Sequence, residues 1–456
     1  MHPSAPALLN DLYQFTMAQA YLDEGIARRK ACFELFFRRA PAAGGFILAA
    51  GIGPVLDFVE GFRLGRDEVG YLRSLGIFGA PTLERLARFR FHGDIDAVPE
   101  GTLVLPGEPI LRVAGPIFEA QLLETPLLNL VGFASSVATR AASIKDAAGS
   151  AEVMEFGCRR APGPDGAVTA SRAAFIGGCD STSNLEAGRR FGIPVRGTMA
   201  HSFVLSHRSE HEAFRAYARA FPEGTVLLVD TIDTIRSGVP NAIAVAREME
   251  ARGDRLRAVR IDSGDLGAIA ERSRELLDAA GLAGVKIIAS GDLDEDRIRA
   301  LRERRAPIDV FGVGTKLVTG QGDGGLSCIY KLVAIEGRGG RMEPRKKRSD
   351  DPGKATLPGM KQVYRLYGAD GLARGDCLDL ARTRGRVPEG VARPLLRPMF
   401  RRGKRVEPSR PLAEIQAAAR ASIEEIPLRY RRANRPATYP VRISPAIRRL
   451  RSTFEV

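Results

Sequence analysis

The sequence contains no tryptophan, and its 456 residues include only five histidines and five cysteines. The cysteines, Cys32, Cys158, Cys179, Cys328 and Cys377, are scattered, odd in number and never in CxxC spacing. That pattern excludes a disulfide framework or a zinc knuckle and fits reduced thiols. The longest apolar stretch picked out, "GGFILAAGIGPVL", is rich in glycine and stopped by Asp57, so no transmembrane helix and no membrane partner are expected. The opening "MHPSAPALLNDLYQF" lacks a basic region and a cleavage pattern, and a cytoplasmic location is the expectation. No GxxxxGK[ST] occurs, so any use of ATP does not rest on a P-loop.

What the chain does have is positive charge. Lys and Arg number 68 against 54 acids, a formal balance of +14. Such an excess favours polyanionic partners: nucleic acid, an anionic membrane or phosphorylated small molecules. The basic runs "EPRKKRSDDPGK" and "RPLLRPMFRRGKRVEPSR" carry almost no interleaved aromatics for base stacking. Basic loops around a phosphate-binding cleft are therefore expected in place of a nucleic-acid surface.

Residues 151 to 317 repeat one pattern: a short apolar run, a polar or glycine-rich tip, then an amphipathic stretch. The runs are "AEVMEFG", "IPVRGT", "TVLLVDT", "RAVRIDSGD", "VKIIASGD" and "IDVFGVGT". Continuous apolar runs alternating with helical segments indicate buried parallel strands in βα units, with chemistry at the strands' C-terminal tips. The flanks differ. Strand-like pieces and Pro/Gly turns precede a long apolar helix pattern from Phe118, and "SCIYKLVAIEGRGG" reads as a strand and turn before a basic tail. The expected fold is α/β: an irregular TIM-like α/β barrel over 121–329, and a mixed α/β sandwich domain built from 1–120 and 330–456.

Two attractive patterns are discounted. Gly320, Gly322 and Gly325 satisfy GxGxxG, but "LSCIYKLVAI" follows where a dinucleotide site needs a helix. His207, Glu210 and His211 form HxxEH without an evident third ligand, so a solvated helix face is the better reading. What remains are tips suited to anions. Ser290, Gly291 and Asp292 end one strand, and Gly312, Gly314, Thr315 and Lys316 end the next; small residues let backbone N–H groups approach a phosphate, while Thr315 and Lys316 add a donor and a cation. Arg260 and Asp262, two apart on a third tip, point to the same side of their strand, either as a structural ion pair or as working groups.

"LLNDLYQFTMAQAYL", "MEFGCRRAPGPDGAVTASRAAFIGGCDSTSN", "GIPVRGTMAHSFV", "LLVDTIDT", "RIDSGDL" and "FGVGTKLVTG", in this order, resemble nicotinate phosphoribosyltransferase. The likeness runs from about residue 9 to "YPVRISPAIRRL". It implies that nicotinate displaces pyrophosphate from 5-phosphoribosyl 1-diphosphate to give nicotinate mononucleotide for NAD synthesis, coupled to ATP hydrolysis through a phosphorylated histidine. It also implies Mg²⁺ carried with the substrate and a homodimer with active sites at the subunit interface.

Carried across position by position, the resemblance makes His201 in "GTMAHS" the phosphorylated histidine, in preference to a core filler or metal ligand. Tyr13 and Thr198 match nicotinate contacts, Tyr13 reaching in from the partner subunit. Arg260 matches the arginine that pins the pyridine ring and its carboxylate. Thr315 matches a phosphoribosyl diphosphate contact. Arg159, Arg160, Asp230, Asp262 and Asp292 fall in matching motifs as groups for pyrophosphate, Mg²⁺ or ribose hydroxyls, with Asp262 also a catalytic candidate and Asp230 the candidate for Mg²⁺. Two departures stand out: His207 and His211 occupy positions where apolar or neutral residues are expected, and the zinc-binding cysteine cluster of some family members is absent. The rival readings are a phosphoribosyltransferase using nicotinamide or quinolinate, and a basic barrel protein that binds nucleic acid. No acidic residue in the quoted pieces is expected to stand where it would accept an amide N–H, which favours nicotinate.

Overall fold

A computed structural model describes residues 6–40, 45–320, 327–347, 356–381, 391–431 and 437–454. The chain divides into two compact units, one of Met1–Thr139 with Gly322–Val456 and the other of Arg140–Gln321. The sequence puts the first junction at 120/121, where strand-like pieces give way to helix. The division falls further on, between Thr139 and Arg140, inside the continuous helix Glu124–Ala148. The stretch Ile117–Ala148 is long and apolar enough to cross a membrane by length and composition alone, but 72% of its most apolar window is buried inside the protein. Its leucines and alanines therefore serve as core.

In the unit built from both chain ends, the strand Lys30–Phe37, "KACFELFF", lies inside a seven-stranded sheet, antiparallel to Pro109–Pro116 on one side and Cys328–Glu336 on the other. Phe33 stacks on Tyr330 with ring centroids 4.8 Å apart. A second sheet of four strands includes Lys361–Tyr367 and Ala373–Leu380. Two buried ion pairs lie in this unit: Lys361 Nζ is 2.7 Å from Glu34 Oε2, and Arg365 Nη2 is 2.9 Å from Asp376 Oδ2. Charges so thoroughly removed from water persist only as pairs, and losing one partner costs about 3–5 kcal/mol.

The other unit is a six-stranded, all-parallel sheet: β1 (Glu152–Glu155), β2 (Ser181–Thr182), β3 (Val226–Leu228), β4 (Ala258–Ile261), β5 (Lys286–Ala289) and β6 (Val310–Val313). Its order is β2-β1-β6-β5-β4-β3, so β2 and β3 are its edges among the described residues. Helices cover the crossovers, among them Val239–Glu250 and Leu266–Ala279, as their amphipathic patterns predict. The run "IPVRGT" does not form a strand of its own; a single parallel bridge joins Val195 to Thr182 on the edge strand. This is a curled parallel sheet of βα units in a mixed α/β protein.

Pairing register places the site. Leu228, Arg260, Ile288 and Val310 are partners across β3, β4, β5 and β6. Because side chains alternate, the residues two positions further along each strand share that rung's face. Those residues are Asp230, Asp262, Ser290 and Gly312. On the same face, towards the strands' N-terminal ends, Met154, Ala258, Ile288 and Val310 form an apolar cluster with Phe156 and Val226 packed against it. The face thus changes from hydrocarbon to polar groups within about two residues of strand, and Arg260 stands at the change.

Candidate active site

Arg260 is held by three separate donations. Nε donates to Ser290 Oγ at 2.8 Å, Nη1 to Thr198 Oγ1 at 2.9 Å, and Nη2 to Asp262 Oδ1 at 2.7 Å. Its guanidinium also lies 5.5 Å from the centroid of the Phe156 ring, within cation–π range. A guanidinium carries five N–H donors, so after these three bonds two remain for a ligand. The ring fits there because Gly312 has no side chain: a Cβ at that position would come 2.7 Å from Phe156 and 3.2 Å from Ser290.

Asp262 Oδ1 also accepts from Ser290 Oγ at 2.5 Å. Burial alone would raise this carboxyl, but the Ser290 hydrogen bond and the Arg260 charge outweigh it and hold Asp262 below the usual carboxylate range. The ion pair expected between Arg260 and Asp262 is present. The expectation that no acid of the quoted pieces would stand to accept an amide N–H is qualified by the Asp262 carboxylate beside Arg260, whose Oδ1 is taken by Arg260 and Ser290.

Asp230 ties the next tip to this one. Its Oδ2 accepts from the Asp262 backbone N–H at 3.0 Å and from Ser263 Oγ at 2.6 Å. Its Oδ1 is buried without a hydrogen-bond partner, and it faces His201 Nε2 at 4.0 Å. His201 begins the short helix His201–Leu205, and its Nδ1 lies 3.1 Å from Thr231 Oγ1. The imidazole is thus fixed at one nitrogen, faces a carboxylate at the other, and is still 42% exposed to solvent.

The glycine-rich tips are closely packed. Gly291 has φ of +100°, and a Cβ there would lie 2.1 Å from the Asp262 carbonyl oxygen, so only glycine lets β5's tip approach β4's so closely. Asp292 follows at φ of +48°, a left-handed conformation uncommon for a residue with a side chain. Gly314 precedes the turn Thr315–Val318, and the Gly157 turn packs against it, where a Cβ on Gly157 would lie 3.0 Å from the Gly314 carbonyl. Arg159 and Arg160 sit on that turn, Cys158–Arg160, exposed and with no side-chain acceptor among the described residues. The Lys316 ammonium, expected as a free cation, pairs with Asp294, the cap of helix Glu295–Glu303.

Phe156, Glu155, Thr231 and Ser263 escaped the sequence reading. Glu155 is fully buried; it accepts from the Gly157 N–H, from Ser171 Oγ at 2.8 Å and from Thr182 Oγ1 at 2.5 Å, fixing the turn that carries Phe156 and the two arginines. A carboxylate inside the apolar run "AEVMEFG" was the available signal. Tyr13 lies on helix Leu12–Asp23 of the other unit, exposed, its phenol raised by partial burial and then by Glu124. The HxxEH residues are each engaged elsewhere: His207 Nδ1 with the Phe203 carbonyl at 2.9 Å, His211 with Glu248 at 3.4 Å, and Glu210 with Ser237 and Asn241. Gly322 and Gly325 of the glycine-rich match lie outside the described residues.

Three family models match nearly the whole chain. The nicotinate phosphoribosyltransferase N-terminal domain covers residues 8–132, the nicotinate phosphoribosyltransferase family covers 151–380, and the nicotinate phosphoribosyltransferase C-terminal domain covers 382–451. A nicotinate phosphoribosyltransferase of Mycobacterium tuberculosis is 44% identical over 444 residues, spanning 97% of this chain and 92% of that one. That of Homo sapiens is 38% identical over 526 residues, spanning 98% and 96%. The crystal structure of human nicotinic acid phosphoribosyltransferase superposes with a TM-score of 0.87 at 36% identity, covering 98% of this chain and all (100%) of that one. A nicotinate-nucleotide pyrophosphorylase from Pyrococcus furiosus superposes with a TM-score of 0.74 at 26% identity, covering 92% and 95%.

Proposed function

The chain belongs to the nicotinate phosphoribosyltransferase family, and on that premise we propose that it joins nicotinate to 5-phosphoribosyl 1-diphosphate, giving nicotinate mononucleotide and pyrophosphate in the first step of NAD salvage from nicotinate. The observation that carries this reading is Arg260, anchored by Thr198, Ser290 and Asp262 with two donors to spare. A planar fork with two free N–H groups suits a carboxylate. The six parallel strands then form part of the family's irregular α/β barrel, with its chemistry at the C-terminal ends.

In the reaction the pyridine nitrogen forms a bond to the anomeric carbon as the bond to pyrophosphate breaks, through an oxocarbenium-like transition state. Orientation of the ring and neutralisation of the departing charge supply most of the acceleration. Arg260 and Thr198 orient the carboxylate, and Phe156 supports the guanidinium from below. The tips Ser290–Asp292 and Gly312–Thr315, with Arg159 and Arg160, receive the phosphoribosyl and diphosphate groups. Mg²⁺ carried with the diphosphate would supply further charge neutralisation there. No cluster of three His, Cys, Asp or Glu side chains suited to a metal occurs among the described residues, and the unpartnered Oδ1 of Asp230 is the protein oxygen that fits such an ion.

His201 takes the γ-phosphoryl group of ATP. The ring nitrogen's lone pair forms the N–P bond, the bond to ADP breaks, and water later discharges the phosphoramidate. Thr231 fixes the ring while Asp230 stabilises its positive charge. A homodimer in the cytoplasm completes this reading, with the exposed Tyr13 serving the partner's nicotinate pocket.

The test is product formation from 5-phosphoribosyl 1-diphosphate with nicotinate, nicotinamide or quinolinate, each supplied alone. Nicotinate mononucleotide from nicotinate, with nicotinamide at least about a hundredfold poorer in kcat/KM, is expected. Preference for either rival acceptor overturns the assignment.

A further inference from the structure

β5 and β6 carry the site's anion tips at their C-terminal ends. At their N-terminal ends lies a cavity of about 620 Å³, lined by Ala283–Lys286, Arg302, Arg305–Asp309 and Arg274. That volume is in the range of small-molecule sites, about 300–1,000 Å³. Four of its lining residues are cationic and one, Asp309, is acidic.

The cations differ in what they do. Arg274 is structural: Nη1 donates to the Val285 carbonyl at 2.6 Å, Nη2 to that of Leu282 at 2.9 Å and Nε to Asp278 at 2.8 Å, which builds one wall. Lys286 is partly answered by Glu152 at 2.8 Å, both side chains being exposed. Asp309 is engaged as well, its Oδ2 accepting the Ile287 N–H at 2.8 Å. Arg302 and Arg305 have no side-chain acceptor among the described residues, and both are exposed. Arg305 closes helix Glu295–Glu303 in a left-handed conformation, φ +55°, with the Ala306 N–H bonded to the Leu301 carbonyl at 3.0 Å. Glycine is the relaxed choice at such a closing position. An arginine there adds a second unanswered guanidinium to the cleft wall.

We infer that this cleft binds a diphosphate anion, at a site separate from the one at the opposite ends of the same strands. Two unpaired guanidinium forks match two adjacent phosphoryl groups, each able to accept a bidentate pair. The concavity selects a compact anion over a polymer; a single-stranded nucleic acid would need stacking aromatics, and none lines the cavity. The inference stands independently of nicotinate turnover, so the two can fail separately.

The experiment is titration calorimetry of the full-length protein with inorganic pyrophosphate and, in a separate arm, with ADP, joined to amide hydrogen exchange. Wild type is expected to take up two pyrophosphate ions per chain and to gain protection over residues 283–286 and 302–308. Arg302→Glu with Arg305→Glu should remove one of the two sites and that protection, leaving nicotinate turnover unchanged. If the double reversal fails to fold, Arg302→Gln with Arg305→Gln should weaken the second site at least tenfold. ADP binding in the same place supports a diphosphate site open to nucleotides, and its failure there supports one for inorganic diphosphate. No pyrophosphate-dependent protection over residues 283–286 and 302–308 in wild type, unchanged affinity of that site in either variant, or protection confined to residues 290–292 and 312–316 overturns the inference.

Discussion

Arg260 Nη2 stands 2.7 Å from Asp262 Oδ1, on one strand and on one face, while Ser290 Oγ from the neighbouring strand reaches the same carboxylate oxygen at 2.5 Å. The pair is more than a structural ion pair because Thr198 and Ser290 hold the guanidinium's other edges. Asp262 therefore fixes the orientation of Arg260.

Arg260→Lys follows directly. An ammonium keeps the charge but loses the fork, so it cannot answer Ser290, Thr198 and Asp262 while offering two donors to a carboxylate. Losing a charge-assisted bond of about 1.5–3 kcal/mol corresponds to a rise in KM for nicotinate of roughly ten- to a hundredfold. Asp262→Asn should give a smaller loss in the same direction. Steady-state kinetics measures both, and an unchanged KM in the lysine variant would remove Arg260 from the nicotinate contact.

Gly291 supports a stability prediction with its own control. Ala at 291 meets both a left-handed φ of +100° and a carbonyl oxygen 2.1 Å from its Cβ; Ala at 192, where φ is +69° with nothing within 4 Å, meets the conformational cost alone. Gly192→Ala should cost about 1 kcal/mol and Gly291→Ala more than about 2 kcal/mol. Urea denaturation distinguishes them, and equal losses would show that the β4–β5 tips are not locked together as described.

Glu108 makes stability depend on pH. It is fully buried beside Asp376 and Arg365; burial first, then the Asp376 charge, push its carboxyl well above the ordinary glutamate range against the opposing pull of Arg365. Below the unfolded value of about 4.3 both states hold the proton and nothing is lost. As pH rises from there through the folded value, the unfolded chain ionises and the folded one does not, so stability falls by up to about 1.4 kcal/mol per pH unit. Glu108→Gln keeps a donor for Asp376 and does not titrate. Between pH 5 and 8 the difference between wild type and variant should shift steadily in the variant's favour; parallel curves would contradict a protonated Glu108.

Much of this arrangement was legible because buried parallel strands are written as unbroken apolar runs. "TVLLVDT", "RAVRIDSGD", "VKIIASGD" and "IDVFGVGT" each contain an observed strand, and a period of two placed Arg260 and Asp262 on one side. Pairing order and register between distant segments were not legible, and they decide what meets what. Phe156 lies under Arg260 only because β1 pairs with β6 and Gly312 leaves room. Lys316 reads as a phosphate cation until the fold supplies Asp294, and "IPVRGT" reads as a strand until the sheet offers it only one bridge.

In the proposed reaction His201, fixed by Thr231 and facing Asp230, couples ATP to the transfer. The direct measurement is the rate of nicotinate mononucleotide formation with and without ATP, for wild type and His201→Ala, with γ-labelled ATP to follow phosphate on the protein. Wild type should show an ATP-stimulated rate and acid-labile label. His201→Ala should retain only a slow, ATP-independent rate and carry no label. An ATP-stimulated rate that survives unchanged in the variant would contradict the account.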